Sequence, residues 1–353
     1  MDAQITIAFC YGWLTEAYFP DLVGSLLDPK KRVSVIYLIS AVVVALLWGF
    51  YTQKRVSTKS FFSILTMLFS KDIWLSPSAR ADYGLFVINK AIILAAAPVL
   101  ISRLAITTAL FFYFHQYFSS GASILNNIPQ WLSTVIYTIF LFILDDASRY
   151  FLHRLLHQVP FLWAFHKIHH SADKLTPFTV LRTHPVEGLA FFFRSTLVQA
   201  ITISLFVFLF GEKIDLLEIY GVNLILFLFN FSGANLRHSH VPIAYGNCAE
   251  KFLISPAQHQ IHHSAALQHQ NKNFGAILAI WDYLGGSLHL STRNMKLNFG
   301  LTDSVFSNNH KLIFLYFSPF LEIYKHCFFY LFSDTKTYNR RSTIAILKTK
   351  DQL

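Results

Sequence analysis

The sequence predicts an all-α integral membrane protein built as a transmembrane helical bundle, and three observations carry that expectation. Hydrophobic residues make up 54% of the 353 positions, and Asp, Glu, Lys and Arg together only 14%, where soluble domains carry about 25% charged residues. Apolar runs long enough to cross a hydrocarbon core recur along the chain. Basic residues flank those runs instead of lining one amphipathic face, so the formal charge of +10 fits membrane orientation and not a nucleic-acid partner. Cys10, Cys248 and Cys327 lie far apart with no C-x-x-C pair, so neither a disulfide framework nor a thiolate metal site is expected.

Residues 1–83 read as an N-terminal membrane region with one clear span. Before Lys30, Glu16, Pro20 and Asp21 interrupt the apolar pattern, which fits an interfacial segment. Val33 to Tyr51 is free of charge, with Lys30-Lys31-Arg32 before it and Lys54-Arg55 after it, and is long enough to span. It starts too far into the chain, and is too long, for a cleaved signal. Leu104 to Leu144 contains no Asp, Glu, Lys or Arg, and its middle, Ser119 to Gln130, carries Gly, Asn and Pro, so two spans joined by an uncharged loop are expected. The first would begin near Gly84 and bend at Pro98, with Lys90 and Arg103 as interior charges; the second would run from Trp131 toward Arg149. Leu189 to Phe210, interrupted by Arg194, and Ile219 to Phe231 flank the polar stretch Gly211 to Glu218 and read as a hairpin of spans. Residues 292–353 are expected to form an interfacial helix, Leu312 to Phe332 broken by Pro319, Glu322 and Lys325, and a polar tail from Ser333.

A hairpin returns the chain to the side it left, so Tyr150 to Glu187 and Ser232 to Lys272 are expected on one membrane face. Arg154, Lys167, Lys174, Arg182, Arg237, Lys251 and Lys272 make those stretches basic, as Lys54, Arg55, Lys59, Lys71 and Arg80 do an earlier loop, whereas Ser119 to Gln130 is not. Basic loops favour the cytoplasm.

Those same stretches hold the dense histidines: His153-x3-His157, His166-x2-His169-His170 and His259-x2-His262-His263. Residues three and four apart share a helix face, so each cluster can aim two or three imidazoles at one point. Scattered interfacial histidines are the competing explanation. With 16 His in the chain, however, one H-x-x-H-H is expected only about 0.03 times by chance, and there are two. Neutral imidazole suits zinc, copper, iron and nickel. Eight ligands exceed what one tetrahedral zinc uses, so two metal ions are implied, which completes the predicted fold class: a helical bundle with a cytoplasmic histidine-lined di-metal site. Arg154, Lys167 and Gln260 follow the first His of each cluster, so the H-E-x-x-H signature of zinc proteases is missing. His115, His269, His289, His310 and His326 lack ligand spacing and read as non-ligands.

This series resembles the membrane-bound fatty acid hydroxylase and sterol desaturase superfamily. Its H-x3-H, H-x2-HH and H-x2-HH boxes are matched in order, Asp146 stands seven residues before His153, and Leu162-Trp163 precedes His166. Arg182-Thr183-His184-Pro185, Asn273-Phe274-Gly275 and Trp281-Asp282-Tyr283-Leu284-Gly285 are similar to further family signatures. The resemblance covers Gly84 to Ser291, giving a catalytic domain at residues 84–291.

It implies two non-haem iron ions, with O2 as co-substrate, attacking an unactivated C–H bond of a membrane lipid, acyl chain or sterol. Hydroxylation is expected on family prevalence, with desaturation as the alternative. A histidine-rich metal transporter and a zinc-dependent hydrolase are the readings from other classes. The metal ligands carried over are His153, His157, His166, His169, His170, His259, His262 and His263, followed by His238 and His240 in the slot for a further family histidine. Asp146, His184 and Asn273 are candidates for holding ligands in place. For Asp146 the competing expectation is a salt bridge to Arg149 or Arg154, and for His184 a purely structural bend before Pro185. No catalytic residue separate from the metal ligands is expected. With no cytochrome-type domain or Gly-rich dinucleotide fingerprint recognised, electrons are expected from a separate donor protein: a cytochrome, a ferredoxin or a reductase.

Overall fold

The computed structural model describes residues 3–53, 61–97, 102–211, 214–292, 295–302 and 309–332. The bend expected at Pro98, the loop basic residues Lys54, Arg55 and Lys59, and the tail from Ser333 lie outside them. Among the described residues, three helices are long and apolar enough to cross a membrane: α3 (Val35–Gln53), α8 (Gln130–Gln158) and α10 (Pro185–Phe210). Before them, α1 (Ala3–Gly12) passes through a π-helical turn, Trp13–Tyr18, into α2 (Phe19–Leu27). Between α3 and α8 come α4 (Phe61–Leu68), α5 (Lys71–Trp74), α6 (Pro77–Ala96) and α7 (Arg103–Tyr117). The helix expected from Gly84 starts earlier, where Ser76 caps α6 by accepting from the Ala79 N–H at 3.1 Å and Pro77 fills the first turn.

The α8 helix decides where the site stands. At 29 residues it rises about 43 Å, more than the roughly 30 Å hydrocarbon core. Its last turns, with His153 and His157, therefore extend past the span that precedes them in the same helix. Arg194 does not break α10: its guanidinium meets the Asp145 carboxylate of α8 at 2.8 Å, and Asp145 also takes Arg149 at 2.8 Å. Lys90 is likewise paired, with Asp21 at 2.7 Å. Intramembrane charges are tolerated when they pair.

The second arm of the expected hairpin is corrected. Ile219 to Phe231 forms no spanning helix; Glu218–Ile219 (β1) and Val222–Asn223 (β2) pair antiparallel, and α11 (Leu224–Phe231) follows with eight residues, about 12 Å of rise. Tyr220 and Gly221 both take positive φ, 51° and 71°, the backbone of a tight two-residue hairpin turn, and the Asn223 side chain caps α11 by accepting from Ile225 N–H at 3.0 Å. The segment climbs alongside α8: Leu217 N–H donates to Thr138 Oγ1 at 3.0 Å and Asn223 Nδ2 to Thr138 O at 3.1 Å, and Phe229 packs on Phe142. Non-helical backbone at such a depth is stable only when its polar groups are met by protein in this way. The chain still returns to the level of the histidines, along another helix instead of by a span of its own.

Past α8 lie α9 (Pro160–His170), α12 (Pro256–His262), α13 (Ile280–Leu284) and α14 (Leu312–Phe332), which continues through Pro319 as one helix. Leu315 of α14 packs on Ala81 and Leu85 of α6 and Ile168 of α9, and Glu322 pairs with Lys167. Arg182, fully buried, ties these parts together. It donates to Asp82 Oδ1 at 2.9 Å, Ile168 O at 3.0 Å and Ser171 Oγ at 2.9 Å, while Thr179 Oγ1 donates to Asp82 Oδ2 at 2.7 Å. The start of α6 is thus fastened to the end of α9.

Both members of the Arg182–Asp82 pair are 0% exposed. Asp82→Ala strands the guanidinium and is expected to cost about 3–5 kcal/mol, while the double replacement Asp82→Leu with Arg182→Met recovers most of it. Thermal unfolding of the detergent-solubilised variants reads both.

Candidate metal centre

Nine histidines from four segments converge in two groups. His153 and His157 of α8, His166 and His170 of α9 and His262 of α12 form the first; His169 of α9, His238 at the end of the 3-10 turn Ala234–His238, and His259 and His263 of the α12 segment form the second. Within each group, one ligand atom per residue lies within 4.8 Å of every other. Helical spacing accounts for the sorting. The i,i+4 pair His166 and His170 faces the first group and His169 the second, while the i,i+4 pair His259 and His263 faces the second and His262 the first. Each H-x-x-H-H box therefore serves both groups, and the two boxes do so reciprocally. The rings of His170 and His263 stack across the boundary at 4.6 Å.

Local sequence fixes both short helices. Pro160 opens α9 at its first turn. At α12, Ser255 and Gln258 form a reciprocal capping box with Pro256 between them, which starts the helix three residues before the first ligand candidate.

Three outer ring nitrogens are held by acceptors. His153 Nδ1 donates to Phe274 O at 2.8 Å, His262 Nδ1 to Lys272 O at 2.8 Å, and His166 Nδ1 bonds Glu187 Oε1 at 2.9 Å. A carbonyl can only accept, so in the first two rings the proton sits on Nδ1 and the lone pair on Nε2. The inward nitrogens go unanswered: Nε2 of His157, His166, His170 and His262, and both nitrogens of His263, are buried with no hydrogen-bond partner. Buried polar atoms left in that condition cost about 1–3 kcal/mol each, and so many in one place are the mark of a cation site. In the second group, His238 Nε2 stands 3.2 Å from His169 Nε2 and 3.0 Å from His259 Nε2. Two nitrogens bound at right angles to one ion at about 2.1 Å stand about 3.0 Å apart, so the donor set fits.

Burial favours the neutral form of six of these imidazoles, which is the form that binds metal. Burial first, and neighbouring imidazoles after it, depress His169, His170, His238, His259 and His263 well below the ordinary histidine range. Burial takes His262 to about 3, against the opposing Lys272 carbonyl.

His240 joins neither group. Its Nε2 is buried without a hydrogen-bond partner, and the ring borders an apolar cavity beside α3. His184 caps α10, accepting from Val186 N–H at 3.2 Å, with its other nitrogen 3.1 Å from Tyr316 O; it touches no grouped histidine. Asp146 is corrected on both expectations, holding neither a ring nitrogen nor Arg149 or Arg154. It accepts from the N–H groups of Ile277 and Leu278 at 3.0 Å each and from Trp281 Nε1 at 2.9 Å. Asp282 grips the same loop from its other end, accepting from Phe274 N–H at 2.8 Å and Gly275 N–H at 2.7 Å. A Cβ on Gly275 would lie 2.7 Å from Leu278 O, so glycine is required there. Together the two carboxylates aim the Phe274 carbonyl at His153. Asn273 bonds the carbonyls of Gln258 and His289, at 3.0 and 2.9 Å, and fastens this loop to α12. Glu187, in the first turn of α10, was the residue the sequence reading missed; the His184-Pro185-Val186-Glu187 helix start was its only local signal.

The grouped histidines open on a cavity of about 300 Å3, with His157, His170, His262 and His263 in its lining.

Comparison with known proteins agrees with this geometry. Residues 138–287 match the family model described as fatty acid hydroxylase, a stretch containing all nine grouped histidines. An ornithine lipid hydroxylase of Rhizobium tropici is 28% identical over 46% of this chain and 45% of its own. An alkylglycerol monooxygenase of Homo sapiens is 28% identical over 69% of this chain and 49% of its own. A Delta(7)-sterol 5(6)-desaturase of Candida albicans is 31% identical over 46% of this chain and 37% of its own. The chain thus spans less than half the length of each of these relatives. No solved structure matches it.

Asp146→Ala leaves three buried donors without an acceptor and is expected to destabilise the fold by about 3–5 kcal/mol. Because no grouped histidine is lost, the protein that still folds should keep the parent's metal stoichiometry, with weaker affinity where the Phe274 carbonyl no longer holds His153. Thermal unfolding and metal analysis of the purified variant check the two halves separately.

Proposed function

From a chain that carries, in residues 138–287, a domain of the fatty acid hydroxylase and sterol desaturase superfamily, we propose a di-iron, O2-dependent hydroxylase of a membrane lipid. The observation that carries it is the sorting of nine buried or half-buried imidazoles into two facing groups, with the Nε2 atoms of His157, His166, His170, His262 and His263 buried and without a hydrogen-bond partner. Two groups call for two ions. Iron bound in each would supply the redox chemistry that activates O2 toward an unactivated C–H bond, which zinc lacks.

The chain's own residues supply the rest. His153, His157, His166, His170 and His262 would hold one ion and His169, His238, His259 and His263 the other. Glu187 and the carbonyls of Phe274 and Lys272 keep three rings in the tautomer that offers Nε2. The cavity over His157, His170, His262 and His263 would place a substrate carbon beside both groups. In the net reaction one C–H bond becomes C–OH, and the second oxygen atom leaves as water with two electrons and two protons. A separate electron-donor protein, a cytochrome, ferredoxin or reductase, would deliver the electrons.

The names of the relatives support a lipid substrate, and the desaturases among them keep removal of two hydrogens as the sister outcome. Against a metal transporter stands the position of the groups. Only α8 among the three spanning helices contributes to them, through its last turns, whereas a transporter binds near the midplane. The basic residues around the histidine segments support a cytoplasmic face for the site.

Membranes reconstituted with the protein, a reductant and broad lipid extracts should yield, under O2, a lipid heavier by one oxygen. His170→Ala and His262→Ala should each take turnover below detection and lower the iron content; full turnover in both would contradict the assignment. Glu187→Ala should weaken iron binding about 10- to 100-fold, measured by competition with a chelator.

A further inference from the structure

The apolar cavity beside α3, about 350 Å3, has two kinds of wall. Ile39 and Val43 of α3 and Phe69 after α4 are exposed, whereas Leu68, Leu236 and Val241 are buried. Ile39 and Val43 belong to the stretch of α3 that is long and apolar enough to cross a membrane, so the exposed wall borders what surrounds a span, the hydrocarbon of the bilayer. Among the described residues, none that lines the cavity is Asp, Glu, Lys or Arg. The polar groups around it are turned away. Ser239 Oγ donates to Leu236 O at 2.7 Å and accepts from Val241 N–H at 3.1 Å, Trp74 Nε1 donates to Leu68 O at 2.7 Å, and His240 keeps its Nε2 buried. A hydrocarbon chain entering there meets carbon, and a headgroup would give up its water with no bond in return. The same cavity borders the segment that carries His238. Gln260 of α12 holds the carbonyls of Leu236, Ser239 and Val241 at 3.2, 2.9 and 3.0 Å, and those three residues also line the cavity.

We propose that this cavity holds an acyl chain of a bilayer phospholipid, retained as a structural ligand and not as a substrate. The chain enters past Ile39 and Val43 and packs against residues 236–241, so that the His238 segment is held by α12 on one side and by lipid on the other. None of the nine grouped histidines lines the cavity, and the bound chain stays unoxidised. The site does not rest on the hydroxylase reading and stands or falls separately from it.

The test reconstitutes the full chain in phosphatidylcholine liposomes containing a phosphatidylcholine with a diazirine in its acyl chain, and maps the photo-adducts by peptide mass spectrometry. Adducts on Leu236, Val241 or Leu68, beside those on the outer face of α3, are the expected result, because only a chain inside the cavity reaches them. Adducts confined to exposed residues such as Ile39, Val43 and Leu47 overturn the site. Leu38→Phe combined with Val42→Phe fills the cavity from α3 and should lower the inner adducts about tenfold, since the chain must then overpack the space, with the adduct on Leu47 unchanged. Inner adducts undiminished in that variant would contradict the assignment, and the parent's pattern decides the question by itself if the variant fails to fold. O2 and reductant supplied before the flash should leave the mass of the inner adducts unaltered. Inner adducts heavier by one oxygen would make the chain a substrate and overturn its structural role.

Discussion

Nine imidazoles crowded into one largely buried volume are the constraint on which the rest of the structure depends. Each ring brings a polar atom that water cannot reach, and a lone pair that faces other lone pairs is repelled by them. Such a cluster could hold cations, and it gains from rings that the surrounding protein fixes. The fold supplies that fixing from outside the cluster. Arg182, Asp82 and Thr179 fasten the end of α9 to α6. Asp146 and Asp282 clamp the loop whose Phe274 carbonyl steadies His153, and Glu187 steadies His166.

The same constraint links the site to the membrane. A 29-residue helix that carries both the span and the first histidines puts those histidines just beyond the apolar stretch that precedes them. Charges within that helix would defeat its insertion if unpaired. Asp145 avoids this by taking Arg194 and Arg149 together, and Asp146 by accepting three N–H donors. Both carboxylates lie on α8, and each is neutralised by a different part of the chain.

The sequence made legible whatever depends on helical period. His153 with His157, His166 with His170 and His259 with His263 are four apart, and each pair falls in one group as that spacing requires. The assignment of adjacent His169-His170 and His262-His263 to opposite groups also follows from the angle between consecutive helical residues. What spacing cannot show is which distant segment arrives. Asp146 stands two turns from His153 on the same helix, which made a ring nitrogen a reasonable partner, yet a loop more than a hundred residues later takes its oxygens. His238 and His240 are two apart in a non-helical stretch, where no period chooses between them, and only the tertiary packing brings His238 to His169 and His259. The segment Ile219 to Phe231 misled because its apolar composition suits a span and a short helix buried against α8 equally well. The positive φ at Tyr220 and Gly221 separates the two, and composition does not record it.

Elemental analysis of the protein purified without added metal tests the central claim most directly. Two iron ions per chain is the predicted result. A single zinc per chain, or full folding with no metal retained, would contradict the reading of the histidines as two ligand sets.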